Sequence, residues 1–190
     1  KLCNYLEPDA KFTGAVNWIK FDKDRKLIGN NFDGQGFVNG FIGQNYSLKN
    51  KSVCIFGAGG AAASIGCSLA NEQIKSLILV NRDINKAINL KNKINAKSDL
   101  LKVEIFPESD YSLACSDIII NATSLGLKKT DKLPFDVTNS PLNSVIADII
   151  MQPEETELLK NAKSLGRSIH YGKYMIESQI DLVNDFLKIW

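Results

Sequence analysis

Histidine is nearly absent from this 190-residue chain, where His170 stands alone. One imidazole leaves a structural zinc site without its ligands, so no metal is expected. Cysteine is sparse as well: Cys3, Cys54, Cys67 and Cys115 are the four. None form a CxxC pair, and their wide spacing excludes the disulfide framework of a small secreted chain. The thiols are expected to be reduced and mostly buried, which points to a cytoplasmic location. No run reaches the ~18 apolar residues of a membrane span, and the first residues lack the apolar core of a signal peptide, so no membrane partner is expected. Neither sign of charge dominates. With 23 Lys+Arg against 21 Asp+Glu, the chain lacks the basic excess of a nucleic-acid-binding surface, leaving at most a local patch. The first residue is Lys rather than Met, so the sequence is expected to begin partway through a longer protein.

What is present is an ordinary globular composition, 44% hydrophobic and 23% charged. A chain of this size can bury about 70% of its unfolded surface, enough for a core without staples. Residues 15–21 and 26–29 read as two strands joined by a polar turn. Asp33 is placed like a helix N-cap, opening an apolar stretch from Phe37 to Ile42. Residues 45–51 form a polar linker. Strands then follow at 52–56, 77–80, 103–106, 117–121, 145–150 and 167–170. They alternate with helices at 61–71, 84–94 and 154–164, the last opened by Pro153. Continuous apolar strands between helices predict an α/β fold, a Rossmann-like doubly wound parallel sheet. A final helix carries Ile176, Ile180, Val183, Leu187 and Trp190 at helical spacing, read as core packing rather than a partner surface.

One motif carries chemistry. Gly57, Ala58, Gly59, Gly60, Ala61 and Ala62 match G-x-G-x-x-G/A between an apolar strand and a helix. There the first glycine permits the tight turn and the second lets a diphosphate approach the backbone. The small third residue allows helix–strand packing, and the helix N-terminus supplies amide donors. The plain alternative is a structural glycine turn. The next strand ends in Asn81-Arg82, with Lys86 a helical turn later. A guanidinium there favours a 2′-phosphate, hence NADP over NAD, while Asp83 opposes it by repulsion. A solvated surface charge is the alternative for Arg82. Thr123 and Ser124 sit at a strand's carboxyl end, where open α/β sheets bind ligands; turn chemistry explains them equally well. His170 is assigned no role.

These residues together resemble the shikimate dehydrogenase family over nearly the whole chain. Gly14-Ala15-Val16-Asn17 and Asn31-Phe32-Asp33-Gly34-Gln35-Gly36-Phe37 look like family segments. The glycine turn, Asn81-Arg82, Asn121 through Ser124, and Met175 through Gln179 follow in the family's order. The resemblance implies reversible, NADP-dependent reduction of 3-dehydroshikimate to shikimate, or of a related cyclic hydroxy acid, in the aromatic amino acid (chorismate) pathway. It implies Asp33 as the catalytic group, Asn17 and Gln179 as substrate-binding amides, and Gly172 and Met175 beside the cofactor. The alternatives are a helix cap for Asp33, a strand-edge hydrogen bonder for Asn17 and a solvated residue for Gln179. The implied organisation is a remnant of a substrate domain over residues 1–35, an NADP-binding domain over 36–171 and a returning helix over 172–190. The partner implied is a shikimate-like ring acid, and a homodimer is compatible. The family's catalytic lysine would precede Lys1, so this piece is expected to bind cofactor and turn over poorly. Trp18 and Phe32 stand where the family has threonines, Asp83 where it has threonine, and Tyr174 where it has glycine. Two aromatics in place of hydroxyls suggest a substrate other than shikimate. A non-catalytic dinucleotide-binding module is the competing function.

Overall fold

In the computed structural model, which describes residues 2–188, a six-stranded sheet forms the centre of the molecule. Its strands are β4 (Ser52–Phe56), β5 (Ser76–Val80), β6 (Lys102–Phe106), β7 (Ile118–Asn121), β8 (Val145–Asp148) and β9 (Ser168–His170). They lie in the order β6-β5-β4-β7-β8-β9, and every pairing is parallel. All five residues of β4 are buried, which is why the strand is apolar throughout rather than alternating. Val53 and Ile55 enter one core layer, and Cys54 and Phe56 enter the other.

Three helices cover the first layer: α2 (Asp33–Gly43), α3 (Gly60–Leu69) and α4 (Ile84–Lys97). The opposite layer packs under α5 (Glu157–Ser164). The expected start of α5 at Glu154 is not found. Thr156 caps the helix by accepting from the Leu159 amide, a stronger start signal than the proline. Before β4 lies a second, three-stranded sheet of β1 (Tyr5–Leu6), β2 (Trp18–Phe21) and β3 (Leu27–Asn30), in the order β1-β3-β2. The hairpin of β2 and β3 is antiparallel as expected. β1 and the short helix α1 (Pro8–Thr13) went unread because neither shows periodicity over so few residues. The residues read as a polar linker are pinned: Leu48 is buried, and the Tyr46 hydroxyl donates to the Ile169 carbonyl at 3.1 Å.

The closing helix differs most from expectation. It is two helices, α6 (Lys173–Glu177) and α7 (Ile180–Leu187), which meet at a buried glutamine, Gln179. Its apolar stripe does not pack wholly into the core. Val183 is buried while Ile176 and Ile180 are 40% and 59% exposed; Trp190 lies outside the described residues. On the inner side of α7, Val183 and Phe186 pack against Phe32, and the Phe32 and Phe186 rings meet edge-on at 5.6 Å. Lys20 anchors the C-terminal end of α7 by donating to the Phe186 carbonyl at 2.6 Å, where a cation also suits the helix dipole.

The thiols are free, with Cys54 and Cys67 buried, Cys3 half-buried and Cys115 exposed. Burial is therefore less complete than expected. His170 is 1% exposed, ringed by Phe37, Phe41, Tyr46 and Tyr174 with centroids 5.2–6.4 Å away. Neither ring nitrogen has a hydrogen-bond partner, and burial pulls its pKa down to about 4. Among the described residues, no helix is long and apolar enough to cross a membrane.

Candidate functional site

The strand order reverses between β4 and β7, and a cleft opens at their carboxyl ends, where open α/β sheets hold ligands. One lip is the glycine turn. Gly57 has φ +111°, and a Cβ there would stand 2.8 Å from the Ala122 carbonyl oxygen, so only glycine fits. No side chain caps α3 at Gly59, and the first N–H groups of that helix are left to face a ligand. Gly57, Ala58, Gly59, Asn81, Arg82, Lys86, Thr123 and Ser124 border one cleft of about 370 Å³, together with Asp83, Glu108 and Lys132. Gly60 lies on an adjoining depression with Lys86 and Lys93. Ala61 is half-buried at the first turn of α3, and the side chain of Ala62 is in the core.

Asp83 has a structural role besides its place on the cleft. Its carboxylate accepts from the Asn85 and Lys86 amides at 3.1 and 3.4 Å, capping α4. One carboxylate oxygen thus serves the helix N-terminus, while the exposed side chain still borders the cleft beside Arg82. Asn81 is likewise tied back, donating to the Asp83 carbonyl at 2.7 Å. On the opposite lip the Thr123 hydroxyl donates to Asn121 Oδ1 at 2.7 Å and accepts from the Leu125 amide at 3.1 Å, so turn chemistry occupies it.

Behind that lip lies a group the sequence reading did not single out. Asp148, fully buried, accepts from Asn121 Nδ2 at 3.1 Å, the Ile150 amide at 3.0 Å and Thr156 Oγ1 at 2.8 Å. Burial pushes its pKa up to about 6 against the pull of those hydrogen bonds. An aspartate inside the apolar run 145–150 was the available signal.

A second cluster forms beside the first. The N-termini of α2 and α3 are locked together: the Gly34 amide donates to Ser64 Oγ, and Ser64 Oγ to Asn31 Oδ1, each at 2.8 Å. A side chain at position 34 would run into the Ser64 backbone. This close approach sets Asp33 at the same end of the molecule as the glycine turn. Asp33 is the first helical residue and makes no cap; the cap position belongs to Phe32. Its Oδ1 instead accepts from Asn17 Nδ2 at 2.8 Å and Gln179 Nε2 at 3.4 Å. Asn17 Oδ1 accepts from the Phe32 amide at 3.1 Å, which fixes the orientation of its amide. Three residues separated by up to 162 positions thus meet in one hydrogen-bonded group. Gln179 is 3% exposed, not the solvated residue of the alternative reading. The group borders an open cavity of about 610 Å³ whose other walls are Trp18, Ile176, Ile180, Val183, Asn184 and Leu187.

Of the two aromatics flagged by sequence, only Trp18 borders this cavity; Phe32 is 8% exposed and packs against Phe186 and Val183. Gly172 and Met175 are outside the borders of both spaces. Gly172 is pressed against the backbone of Ile149 and Ile150, and the Met175 carbonyl closes on Gly36.

Residues 42–149 match the family model described as Shikimate / quinate 5-dehydrogenase. A shikimate dehydrogenase (NADP(+)) of Alkaliphilus oremlandii (strain OhILAs) is 33% identical over 188 residues, covering 94% of this chain and 65% of its own. The ligand-free 5-ketofructose reductase of Gluconobacter sp. strain CHM43 is 35% identical with a TM-score of 0.85, over 97% of this chain and 66% of that one. The quinate dehydrogenase of Corynebacterium glutamicum, solved with NAD, is 28% identical with a TM-score of 0.87, over 99% and 68%. The chain therefore spans about two thirds of the length of these relatives. With the matched stretch covering the whole of β4 through β8, the chain belongs to the shikimate / quinate 5-dehydrogenase family.

Proposed function

We propose that this chain carries the dinucleotide site and part of the substrate site of an NADP-dependent dehydrogenase. Its reaction is the reversible interconversion of a ring ketone and the corresponding secondary alcohol, with 3-dehydroshikimate and shikimate or a related cyclic hydroxy acid as the pair. The observation that carries this reading is the joining of Asn17, Asp33 and Gln179 at the N-terminal end of α2, which is locked against α3, the helix that the glycine turn opens. The relative named for NADP(+) supports the cofactor, and those named for quinate and 5-ketofructose support a family tolerant of different substrates.

The cleft fits a dinucleotide diphosphate on its own evidence, since the uncapped N-terminus of α3 lies against a turn that excludes any side chain at position 57. Arg82, Lys86 and Lys132 would hold the 2′-phosphate side, three cations against the carboxylates of Asp83 and Glu108 on the same cleft. A bound nicotinamide supplies the hydride acceptor or donor. The chain's own contribution is proton handling and orientation. Asp33 Oδ2, which has no hydrogen-bond partner among the described residues, takes the proton of the alcohol as its carbon gives up hydride, and returns it in the reverse direction. Asn17 and Gln179 hold the other oxygen of that carboxylate, so the free one keeps its direction.

Asp33→Asn tests this directly. In the full-length protein, turnover of shikimate with NADP+ is expected to fall by a factor on the order of 100 to 10,000, while the calorimetric affinity for NADP+ stays at the wild-type value. A non-catalytic dinucleotide-binding module would show that same affinity and no turnover to lose. Wild-type turnover in the variant would end the assignment of Asp33.

A further inference from the structure

The two peptide units that flank the Asp33 Cα present the first two amides of α2, and a helix start offers such amides no partner of its own. The Asp33 N–H donates to Asn31 Oδ1 at 3.1 Å, and the Gly34 N–H donates to Ser64 Oγ at 2.8 Å. Ser64 Oγ in turn donates to the same Asn31 oxygen at 2.8 Å. Both peptide units therefore end on one serine–asparagine pair, each member of which is 2% exposed. Asn31 Nδ2 reaches the Ala15 carbonyl at 3.4 Å, which ties in the segment that carries Asn17. A serine within a helix often turns its hydroxyl back to the carbonyl one turn earlier; Ser64 spends its hydrogen across the helix interface instead. Ser68 is the contrast. It lies one turn further along α3, is also buried and also faces Gly34, yet among the described residues it makes no side-chain hydrogen bond to α2.

Resting on the proposed reaction, we infer that Ser64 is a positioning residue for Asp33: its hydroxyl fixes the start of α2, and with it the carboxylate, against the helix whose N-terminus faces the dinucleotide cleft. Oxidation of an alcohol sends hydride one way and a proton the other from a single C–OH unit, so the two acceptors must be held to one geometry. A misplacement on the order of 1 Å costs about a hundredfold in rate. One acceptor is anchored through the first turn of α3, and the other stands at the first residue of α2. Ser64 is one helical turn into α3 from Gly60, so it spans the shortest route between them. The close approach at Gly34 sets how near the two helices come, and the paired 2.8 Å bonds of Ser64 set their register along one another. Without the hydroxyl, the Gly34 N–H and a lone pair of Asn31 are left buried and unpaired, and the first turn of α2 must move to satisfy them.

The test uses the full-length protein as wild type, Ser64→Ala, Ser64→Cys, Asp33→Asn and, as a control on the same helix face, Ser68→Ala, with thermal melts to confirm folding. Two quantities are read: steady-state oxidation with NADP+ of shikimate, or of quinate if wild type prefers it, and residue-resolved hydrogen exchange of the Gly34 amide with no nucleotide bound. Ser64→Ala is expected to lower kcat by roughly ten- to a hundredfold, with KM and the calorimetric affinity for NADP+ little changed. It is also expected to speed Gly34 exchange by roughly tenfold or more. Ser64→Cys, which keeps a weak acceptor, should fall between, and it carries the same comparison if Ser64→Ala does not fold. Ser68→Ala should keep the wild-type kcat and Gly34 exchange even if it melts lower. In an Asp33→Asn background, adding Ser64→Ala should lower kcat no further, because its effect passes through Asp33. Wild-type kcat in the folded Ser64 variants overturns the inference, as does an equal fall in Ser68→Ala or a Ser64 effect that adds fully to that of Asp33→Asn. Full turnover in Asp33→Asn, or none in wild type, is instead the failure of the proposed reaction, and the assignment of Ser64 falls with it.

Discussion

Replacing His170 by phenylalanine is expected to expose an opposing titration that the native protein conceals. The imidazole is caged by four aromatic rings with both nitrogens unpartnered, and burial lowers its pKa from 6.5 to about 4. Between those values the unfolded chain binds a proton that the folded chain refuses. Stability from this group is complete above pH 6.5 and lost as pH falls toward 4, an effect of about 3 kcal/mol. Asp148 acts in the other direction. Its pKa rises from 3.8 to about 6 on burial, so the folded state holds a proton that the unfolded state has released. Its contribution is complete below pH 3.8 and lost as pH rises through 6, again about 3 kcal/mol. The two nearly cancel between pH 4 and 6. His170→Phe keeps the ring packing and leaves only the Asp148 slope. Relative to wild type, it should gain about 3 kcal/mol as the pH is lowered from 7 to 4. Asp148→Asn should lose a similar amount over the same range. Urea unfolding followed by far-UV circular dichroism at intervals from pH 4 to 7 reads both differences. Wild-type and His170→Phe stabilities that stay parallel across that range would mean that the caged imidazole protonates freely in the folded protein, and the reasoning from its burial would be wrong.

Two further predictions concern the dinucleotide cleft. Gly57→Ala forces a Cβ to within 2.8 Å of the Ala122 carbonyl at a φ of +111°. It should cost about 1–3 kcal/mol of stability and abolish NADP+ binding, read by thermal melt and calorimetry. Arg82→Ala removes the exposed guanidinium from the cleft, so affinity for NADP+ should fall tenfold or more, the worth of about 1.5–3 kcal/mol for a charge-assisted contact. Affinity for NAD+ should hardly change, and equal losses for both would refute the 2′-phosphate role.

Much of the central sheet was legible because its signals are local. A parallel strand buried on both faces must be apolar along its whole length, as at Val53–Phe56 and Ile118–Ile120, and the glycine turn is demanded by one positive φ and one close carbonyl. The start of α5 was misplaced because Pro153 and Thr156 both signal a beginning, and only the hydrogen bonds of Thr156 to the Leu159 amide and to Asp148 decide between them. The closing helix was read as continuous because its spacing is continuous. What breaks it is the burial of Gln179 among partners more than 140 positions away.

The sequence by itself determined the parallel sheet, the position of the glycine turn and the identity of the polar residues at the site, since each depends on backbone geometry or on the chemistry of a few neighbours. Only the tertiary structure decided what those residues do to one another. It sent Phe32 into the core and left Trp18 at the cavity, and it tied the amides of Asn17 and Gln179 to Asp33. Those outcomes follow from packing α2 against α3 and folding α7 back onto β2, and hydrogen-bond capacity can be counted only after distant segments have met.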